Sequence, residues 1–172
     1  MQTRIEKCQI KDVELLQKIS IETFNDTFKD QNSPENMESY LAKAYNLNQL
    51  ETELNNTSSE FYFIFEKDKI AGYLKLNVDE AQSEQRDHDY LEVERIYIRK
   101  DFQSKGLGQQ LIEKAIKTAS NLNKKKIWLG VWEMNTKAID FYQRIGFFQT
   151  GTHSFYMGED EQTDLIMTKV LD

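Results

Sequence analysis

Residues 91–111 read LEVERIYIRKDFQSKGLGQQL. The first half is rich in β-branched and aromatic residues and predicts a strand, whereas the second half opens a helical pattern behind two glycines, Gly106 and Gly108. Glycine permits a positive φ and lets another molecule approach the main chain closely. The first N–H groups of a helix have no partner within that helix and attract anions. The stretch therefore predicts a strand, an anion-binding turn and a helix in direct succession.

Two common phosphate-binding loops do not fit this turn. A P-loop requires a Gly-Lys-Ser/Thr triplet, which the chain lacks. A dinucleotide fingerprint requires a third glycine at position 111, where the chain has Leu111. The turn must therefore hold another kind of phosphate, or none.

Helical and strand-like patterns alternate along the rest of the chain, so we expect one α/β domain over residues 1–172. Ser33 before Pro34 marks a helix start, and Gly146 follows the last turn of a short helix. The polar stretch 79–89 predicts a loop. Strands are predicted at 2–8, in a hairpin within 60–78, at 90–99, at 124–132 and in a second hairpin within 147–171. Helices are predicted at 11–28, 33–45, 47–55, 107–122 and 135–145.

The composition favours a small cationic partner over nucleic acid. The chain has 172 residues, 39% hydrophobic and 12% aromatic, as expected of a folded globular protein. Its net charge of −7 opposes binding to a phosphate backbone. The acidic surplus would attract a cation, although it also serves solubility alone. We therefore expect no nucleic-acid partner.

The sequence shows no sign of secretion, membrane contact or a metal centre. No apolar run approaches the roughly 18 residues of a membrane span, and MQTRIEKCQI lacks an apolar signal region, so we do not expect secretion. The single cysteine, Cys8, excludes an internal disulfide and agrees with a reducing compartment. His88 and His153 lie far apart without metal-ligand spacing. The expected location is the cytoplasm.

The predicted strand 90–99 separates into two faces with a period of two. One face would carry Glu92, Glu94, Ile96 and Ile98, and the other Leu91, Val93, Arg95 and Tyr97. Carboxylates at one end and aliphatic residues at the other are typical of a strand that runs from a wet cleft into a core.

The order of these motifs resembles the GCN5-related N-acetyltransferase (GNAT) family. The motif Gln103-x-x-Gly106-x-Gly108 is followed by a helix, a strand and the block Asn135…Phe141-Tyr142…Gly146-Phe147. The resemblance covers most of the chain from residue 61. It implies a mixed, mostly antiparallel sheet of about seven twisted strands, flanked by helices, with a splayed central strand pair. It also implies acetyl-coenzyme A as cofactor and coenzyme A as product.

The resemblance assigns two main-chain segments to the cofactor. Free main-chain groups of residues 96–98 would pair with the pantetheine arm, and the N–H of Ile98 would polarise the thioester carbonyl. Amides from Ser104 to Gln109 would face the pyrophosphate, with Lys105 adding charge. The full implied set is Ile96, Tyr97, Ile98, Gln103, Ser104, Lys105, Gly106, Leu107, Gly108, Gln109, Trp132, Asn135 and Lys137.

Three residues are candidates for proton transfer. Tyr142 matches the family's tyrosine beside the cofactor sulfur and would donate a proton to the leaving thiolate. An alkylamine is mostly protonated at pH 7, so a base must accept its proton; Glu94 is the first candidate and Glu92 the second. Core packing for Tyr142 and simple solvation for both carboxylates remain alternatives.

The front of the chain (SIETFNDTFKDQNSPENM) and its back (WLGVW…DLIM) resemble the bacterial polyamine acetyltransferases within the family. This implies spermidine or spermine as acceptor. Carboxylates and aromatic faces suit such a cation. The implied acceptor residues are Asp26, Phe28, Glu92, His153 and Tyr156. A protein α-amine, an amino acid or an aminoglycoside remains an alternative acceptor. A regulator that binds acetyl-coenzyme A without turnover is a further alternative, and a homodimer is compatible with the sequence.

Overall fold

The computed structural model describes residues 2–172, and its framework is one seven-stranded sheet. The strands are β1 (Thr3–Lys7), β2 (Ser59–Glu66), β3 (Lys69–Asn77), β4 (Tyr90–Ile98), β5 (Lys126–Trp132), β6 (Phe148–Met157) and β7 (Asp160–Val170). Their spatial order is β1-β2-β3-β4-β5-β7-β6. All neighbours are antiparallel except β4 and β5, which are parallel.

Five α-helices cover the two faces of the sheet: α1 (Val13–Phe28), α2 (Pro34–Ala44), α3 (Leu47–Asn55), α4 (Leu107–Asn121) and α5 (Thr136–Arg144). Residues of α1, α2 and α3 share an apolar cluster with Tyr73 and Trp132 on one face, here called the α1 face. Residues of α4 and α5 share a second cluster with Leu91 and Leu129 on the other, the α4 face. Among residues 2–172, no helix is both long and apolar enough to cross a bilayer.

Local signals in the sequence account for where several elements begin and end. Ser33 Oγ accepts a hydrogen bond from the Asn36 amide at 3.1 Å, so α2 begins where Ser33 and Pro34 predict. Gly146 adopts a φ of 100° just after α5, as predicted for a glycine that ends a helix. The stretch 79–89 is irregular apart from one 3₁₀ turn at Asp79–Ala81. The predicted fold class is confirmed.

The parallel pair β4 and β5 separates shortly after it begins. Tyr90, Leu91 and Glu92 pair with Lys126, Ile127 and Trp128, and no further residue pairs link the two strands within residues 2–172. From Val93 on β4 and from Leu129 on β5, the facing main chains border a cleft. This is the expected splayed pair.

A β-bulge in β4 lies at the start of this cleft. Lys75 pairs with Arg95 and Leu76 with Val93, which leaves Glu94 as an extra residue opposite β3. A bulge bends a strand and increases its twist, so it turns β4 away from β5.

The bulge also overturns the predicted faces of this strand. Beyond Glu94 the alternation is reversed, because one extra residue moves every later side chain to the other face. Ile96 therefore packs with Val93 in the cluster of the α4 face. Tyr97 lies in the cluster of the α1 face, and Arg95 lies over the ring of Tyr45 in the same layer.

Candidate active site

The N-terminus of α4 has the geometry of an anion site. Gly106 precedes the helix with φ 79° and ψ 9°, a left-handed conformation that favours glycine. No side chain of residues 2–172 caps this end, so the N–H groups of Leu107, Gly108 and Gln109 point outward without helical acceptors. A Cβ on Gly106 would meet no described atom within 4 Å, which leaves open space before the turn. A phosphate group fits these donors and this space.

The remaining loop residues support the turn in different ways. Gln103 Nε2 donates to the Ile98 carbonyl at 3.0 Å and links the loop to the end of β4. Ser104 has a positive φ of 64°. Lys105 Nζ lies 3.3 Å from Glu66 and remains partly exposed. The Leu107 side chain is buried in the core, so only its main chain is available to a ligand.

Residues 96–98 lie on the part of β4 that borders the cleft, as the predicted pantetheine site requires. Gly72 on β3 lets this segment pack closely, because a Cβ there would come 2.4 Å from the Tyr97 carbonyl oxygen. Gly72 was not predicted, although an isolated glycine inside a strand pattern is a signal of close backbone approach.

The start of α5 is capped and its core-facing residues are packed. Asn135 Oδ1 accepts from the Ala138 amide at 3.2 Å, so Asn135 is the N-cap. The ring of Tyr142 packs against Phe147 at a centroid distance of 5.7 Å, and the residue is 7% exposed. Its hydroxyl has no hydrogen-bond partner within residues 2–172, and burial holds its pKa well above the ordinary value for tyrosine. Lys137 is exposed on the first turn.

Glu94 sits in an ion-pair network rather than in free solvent. Its carboxylate lies 2.7 Å from Lys75 Nζ and 3.2 Å from Arg95 Nη2. It also accepts from Asn77 Nδ2 at 2.7 Å. Burial alone would raise its pKa, but the two cations outweigh burial and hold the pKa of Glu94 below its usual range. A carboxylate stabilised in this way is a weak proton acceptor.

Glu92 lies where β4 and β5 part, on the α1 face, and is 3% exposed. It accepts hydrogen bonds from the Ser83 amide at 2.8 Å and from Asn77 Nδ2 at 2.9 Å, and its second oxygen contacts the Ser83 hydroxyl. Burial is the largest influence on this group and raises its pKa. Ser83 therefore shields Glu92 from any ligand in the cleft.

Ser83 belongs to a strap, residues 82–86, that crosses the α1 face from β4 to β6. Gln82 Oε1 accepts from Trp128 Nε1 at 2.8 Å, and the Arg86 guanidinium lies 4.3 Å from the centre of the Trp128 ring. Glu84 reaches His153 on β6. The sequence predicted only a polar loop here, since contacts with distant strands leave no periodic signal.

His153 lies between two carboxylates. Its Nε2 is 3.2 Å from Asp164 Oδ2 in hydrogen-bonding geometry. Its Nδ1 is 2.6 Å from Glu84 Oε1, a close ion-pair contact that lacks the alignment of a hydrogen bond. The hydrogen bond to Asp164 raises the pKa of His153, burial opposes it, and Glu84 raises it further. Asp164 and Glu84 were not predicted.

The other predicted acceptor residues are dispersed. Phe28 is buried on the α1 face and packs against Trp132 at a centroid distance of 4.9 Å, so these two rings form one aromatic cluster. Asp26 is half-buried on α1 and forms no ion pair within the described chain. Tyr156 does not join the site: it alternates to the other side of β6 from His153, is 54% exposed and donates to Glu161 at 2.8 Å.

The family model described as acetyltransferase (GNAT) family matches residues 20–147. The chain belongs to this family. The resemblance carried by Gly106, Gly108 and Tyr142 is confirmed, and this GNAT protein is an N-acetyltransferase whose acetyl donor is acetyl-coenzyme A.

Relatives of this GNAT chain include an uncharacterized N-acetyltransferase and a probable spermine acetyltransferase. An uncharacterized N-acetyltransferase from the pepI 3′ region of Lactobacillus delbrueckii subsp. lactis is 47% identical over 153 residues, covering 89% of this chain and 88% of that protein. A probable spermine N(1)-acetyltransferase of Bacillus subtilis subsp. natto is 39% identical over 64 residues, which cover 37% of this chain and 42% of that protein. The crystal structure of PaiA N-acetyltransferase from Thermoplasma acidophilum in complex with coenzyme A matches with a TM-score of 0.82 at 24% identity. The match covers 99% of this chain and 100% of that one. That last likeness shows the fold alone.

Proposed function

We propose that this protein transfers the acetyl group of acetyl-coenzyme A to a primary amine of a polyamine, spermidine or spermine. The observation that carries the proposal is the composition of the α1 face beside the cleft. Glu84 and Asp164 supply negative charge there, and the ring of Trp132, which packs on Phe28, belongs to the strand residue paired with Asp164. Ammonium groups joined by methylene chains match such a surface. The short match to a spermine acetyltransferase supports the same acceptor class.

The residues available for acetyl-coenzyme A divide into three groups. The outward N–H groups at the start of α4 would bind its phosphates. Free main-chain groups of residues 96–98 would pair with the pantetheine arm. The bound thioester supplies an activated acetyl carbon, and the Tyr142 hydroxyl would donate a proton to the departing sulfur. A tyrosine hydroxyl is protonated at neutral pH, and burial raises the pKa of Tyr142 further, so the proton is present there.

The proposed transfer is direct, within a ternary complex. An acyl-enzyme would need a reactive thiol or a similar nucleophile at the cleft. Cys8 is buried in the cluster of the α1 face, and burial holds its pKa far above the usual thiol value. We therefore expect intersecting initial-rate patterns and no acetylated protein in the absence of an amine.

A panel of single amines tests the proposal. Thiol release from acetyl-coenzyme A would be measured with spermidine, spermine, putrescine, an aminoglycoside and a lysine-bearing peptide. Saturable turnover with spermidine and spermine is expected. Saturation only with the peptide or the aminoglycoside would discard the polyamine and keep the acetyl transfer. Tight cofactor binding without turnover of any amine would instead favour a regulator.

A further inference from the structure

Gly72 on β3 lies opposite Ile98, in the part of β4 that borders the cleft, and its surroundings leave no room for a side chain. A Cβ on Gly72 would come 2.4 Å from the Tyr97 carbonyl oxygen, 2.6 Å from Ile98 Cδ1 and 3.3 Å from Ile98 Cα. Two of these contacts are with main-chain atoms, which cannot turn aside as the tip of a side chain can. A side chain at position 72 would therefore force the two strands apart at Tyr97 and Ile98.

The two strands differ in how firmly they are held at this point. β3 lies between β2 and β4 in the sheet, so it is paired on both sides. β4 has no residue pair with β5 after Glu92 within residues 2–172. The main chain at Tyr97 and Ile98 therefore has a strand partner on one side only. It is the part that would yield to a Cβ on Gly72, and it would move away from β3.

The pairing of β3 with β4 also decides which main-chain groups of β4 point away from β3. The Arg99 N–H donates to the Ala71 carbonyl at 2.8 Å. Residues of an antiparallel pair alternate between those that bond to the partner strand and those that do not. Ile98 therefore directs its N–H and its carbonyl away from β3, and its carbonyl accepts from Gln103 Nε2 at 3.0 Å. The N–H of Ile98 is on the side where β5 has separated from β4.

This N–H is the group that would hold the thioester carbonyl during acetyl transfer. We propose that Gly72 is a positioning residue for this reaction, because the absence of its side chain sets where the Ile98 main chain lies relative to the bound thioester. A hydrogen bond to developing negative charge depends on its geometry, and a misplacement of about 1 Å can cost about 10²-fold in rate. The inference rests on the proposed pairing of residues 96–98 with the cofactor, and it does not depend on which amine is the acceptor.

The contacts of Arg99 should confine the effect of a substitution at Gly72. Arg99 Nε donates to Glu22 on α1 at 2.7 Å, and Arg99 Nη1 donates to the Ile70 carbonyl at 3.1 Å. These bonds tie the residue after Ile98 to α1 and to β3. The turn before α4 follows Arg99 in the chain, so its phosphate-binding N–H groups should stay in place when the main chain at Ile98 shifts.

Gly72→Ala tests the inference, with Gly151→Ala as its matched control. Gly151 also lies in a strand, but a Cβ there would meet only Ile166, at the ordinary van der Waals distance of 3.7 Å. Turnover would be measured with the amine that is acetylated most rapidly in the panel. Gly72→Ala should lower kcat by about 10²-fold and the affinity for acetyl-coenzyme A by a smaller factor. Gly151→Ala should change neither quantity.

A second readout needs no acceptor amine. Infrared difference spectroscopy with acetyl-coenzyme A that carries ¹³C at the acetyl carbonyl reports the hydrogen bonding of that carbonyl, because a hydrogen bond lowers its stretching frequency. In the parent protein, the bound thioester should absorb at a lower frequency than the free thioester. This difference should be smaller in Gly72→Ala and unchanged in Gly151→Ala. A loss of stability alone would not alter the frequency in the protein that stays folded.

Adding Ile98→Val to Gly72→Ala separates the side-chain contact from the main-chain contact. It removes Cδ1 and its 2.6 Å contact, and it keeps the contact with the Tyr97 carbonyl. Stability in urea should recover in part, whereas kcat and the carbonyl frequency should remain as in Gly72→Ala. The double variant also replaces Gly72→Ala if that variant alone does not fold. If neither folds, Gly72 serves the fold rather than the position of Ile98, and the inference falls.

The inference is also overturned if the carbonyl frequency in Gly72→Ala equals that in the parent protein, whatever happens to kcat. Recovery of kcat and of the frequency on addition of Ile98→Val would contradict it as well, since side-chain packing would then be the cause. If bound and free thioester absorb at the same frequency in the parent protein, the proposed role of the Ile98 N–H falls together with this inference. If no amine is acetylated while the frequencies differ as expected, the proposed function falls and the positioning role of Gly72 stands.

Discussion

Tyr142 is buried, and its hydroxyl has no hydrogen-bond partner within residues 2–172, which gives a prediction at the scale of one residue. Tyr142→Phe removes only the hydroxyl and keeps the packing against Phe147. We expect kcat to fall by about 10²-fold, the usual contribution of a general acid, with the acetyl-coenzyme A affinity changed by less than roughly twofold. Tyr156→Phe is the matched control, since Tyr156 lies off the site. Unchanged turnover in Tyr142→Phe would remove this residue from the mechanism.

Glu94 gives a second prediction at this scale, on stability. Its folded-state pKa is lowered, so its stabilising effect is fully present above the usual glutamate pKa of about 4.3 and is lost as the pH falls through the folded value. Glu94→Gln keeps the shape but removes the charge between Lys75 and Arg95. Urea denaturation at pH 7 should show that the free energy of unfolding of Glu94→Gln is lower by about 1.5–3 kcal/mol. The difference between the two proteins should shrink toward pH 3; a difference independent of pH would contradict the ion-pair account.

At the scale of the element, the turn before α4 has two properties that can be tested separately: the left-handed backbone of Gly106 and the open space in front of it. Gly106→Ala places a Cβ at a φ of 79° without a clash, so it should cost about 1–2 kcal/mol of stability through backbone strain. Gly106→Asn should recover much of this stability, because asparagine tolerates the left-handed region. The added side chain occupies the space before the helix in both variants, so calorimetric titration should show a lower acetyl-coenzyme A affinity than in the parent protein. Unlike the stability, this affinity should not recover in Gly106→Asn. Recovery of both properties in Gly106→Asn would show that no ligand approaches this turn.

The sequence predicts elements whose signals are local. The start of α2 at Ser33 and Pro34, the turn at Gly106 and the end of α5 near Gly146 depend on neighbouring residues only. The bulge at Glu94 depends on how β4 pairs with β3, so the period of two in the sequence assigned the later side chains to the wrong faces. The strap was undetectable for the same reason, because its partners lie on other strands.

At the scale of the whole molecule, the candidate site has one part that could be predicted from neighbouring residues and one part that depends on contacts between distant residues. The proposed cofactor turn is continuous in sequence and was predicted from its glycines. The charged part of the proposed acceptor side draws Glu84, His153 and Asp164 from three separate elements, and of these only His153 was predicted, by resemblance. The packing around them joins residues that are distant in sequence, so no local sequence pattern predicts it.

The net charge of −7 gives a prediction for the whole molecule. A polycationic acceptor is drawn to an acidic protein over a Debye length of about 10 Å at 0.1 M salt and about 3 Å at 1 M. Raising the salt concentration should therefore lower kcat/KM for spermidine more steeply than for a monoamine. The monoamine serves as the control for general salt effects. Equal slopes for the two amines would mean that the acidic surplus does not serve the acceptor.

A competition assay is the sharpest test of acetyl transfer to a polyamine. The protein would receive acetyl-coenzyme A and equal concentrations of spermidine, an aminoglycoside and a peptide with a free α-amine and a lysine. Mass spectrometry of the early products then reports the ratio of kcat/KM values in one reaction. We predict that acetylated spermidine dominates. Acetylation of the peptide or the aminoglycoside in preference to spermidine would contradict the account.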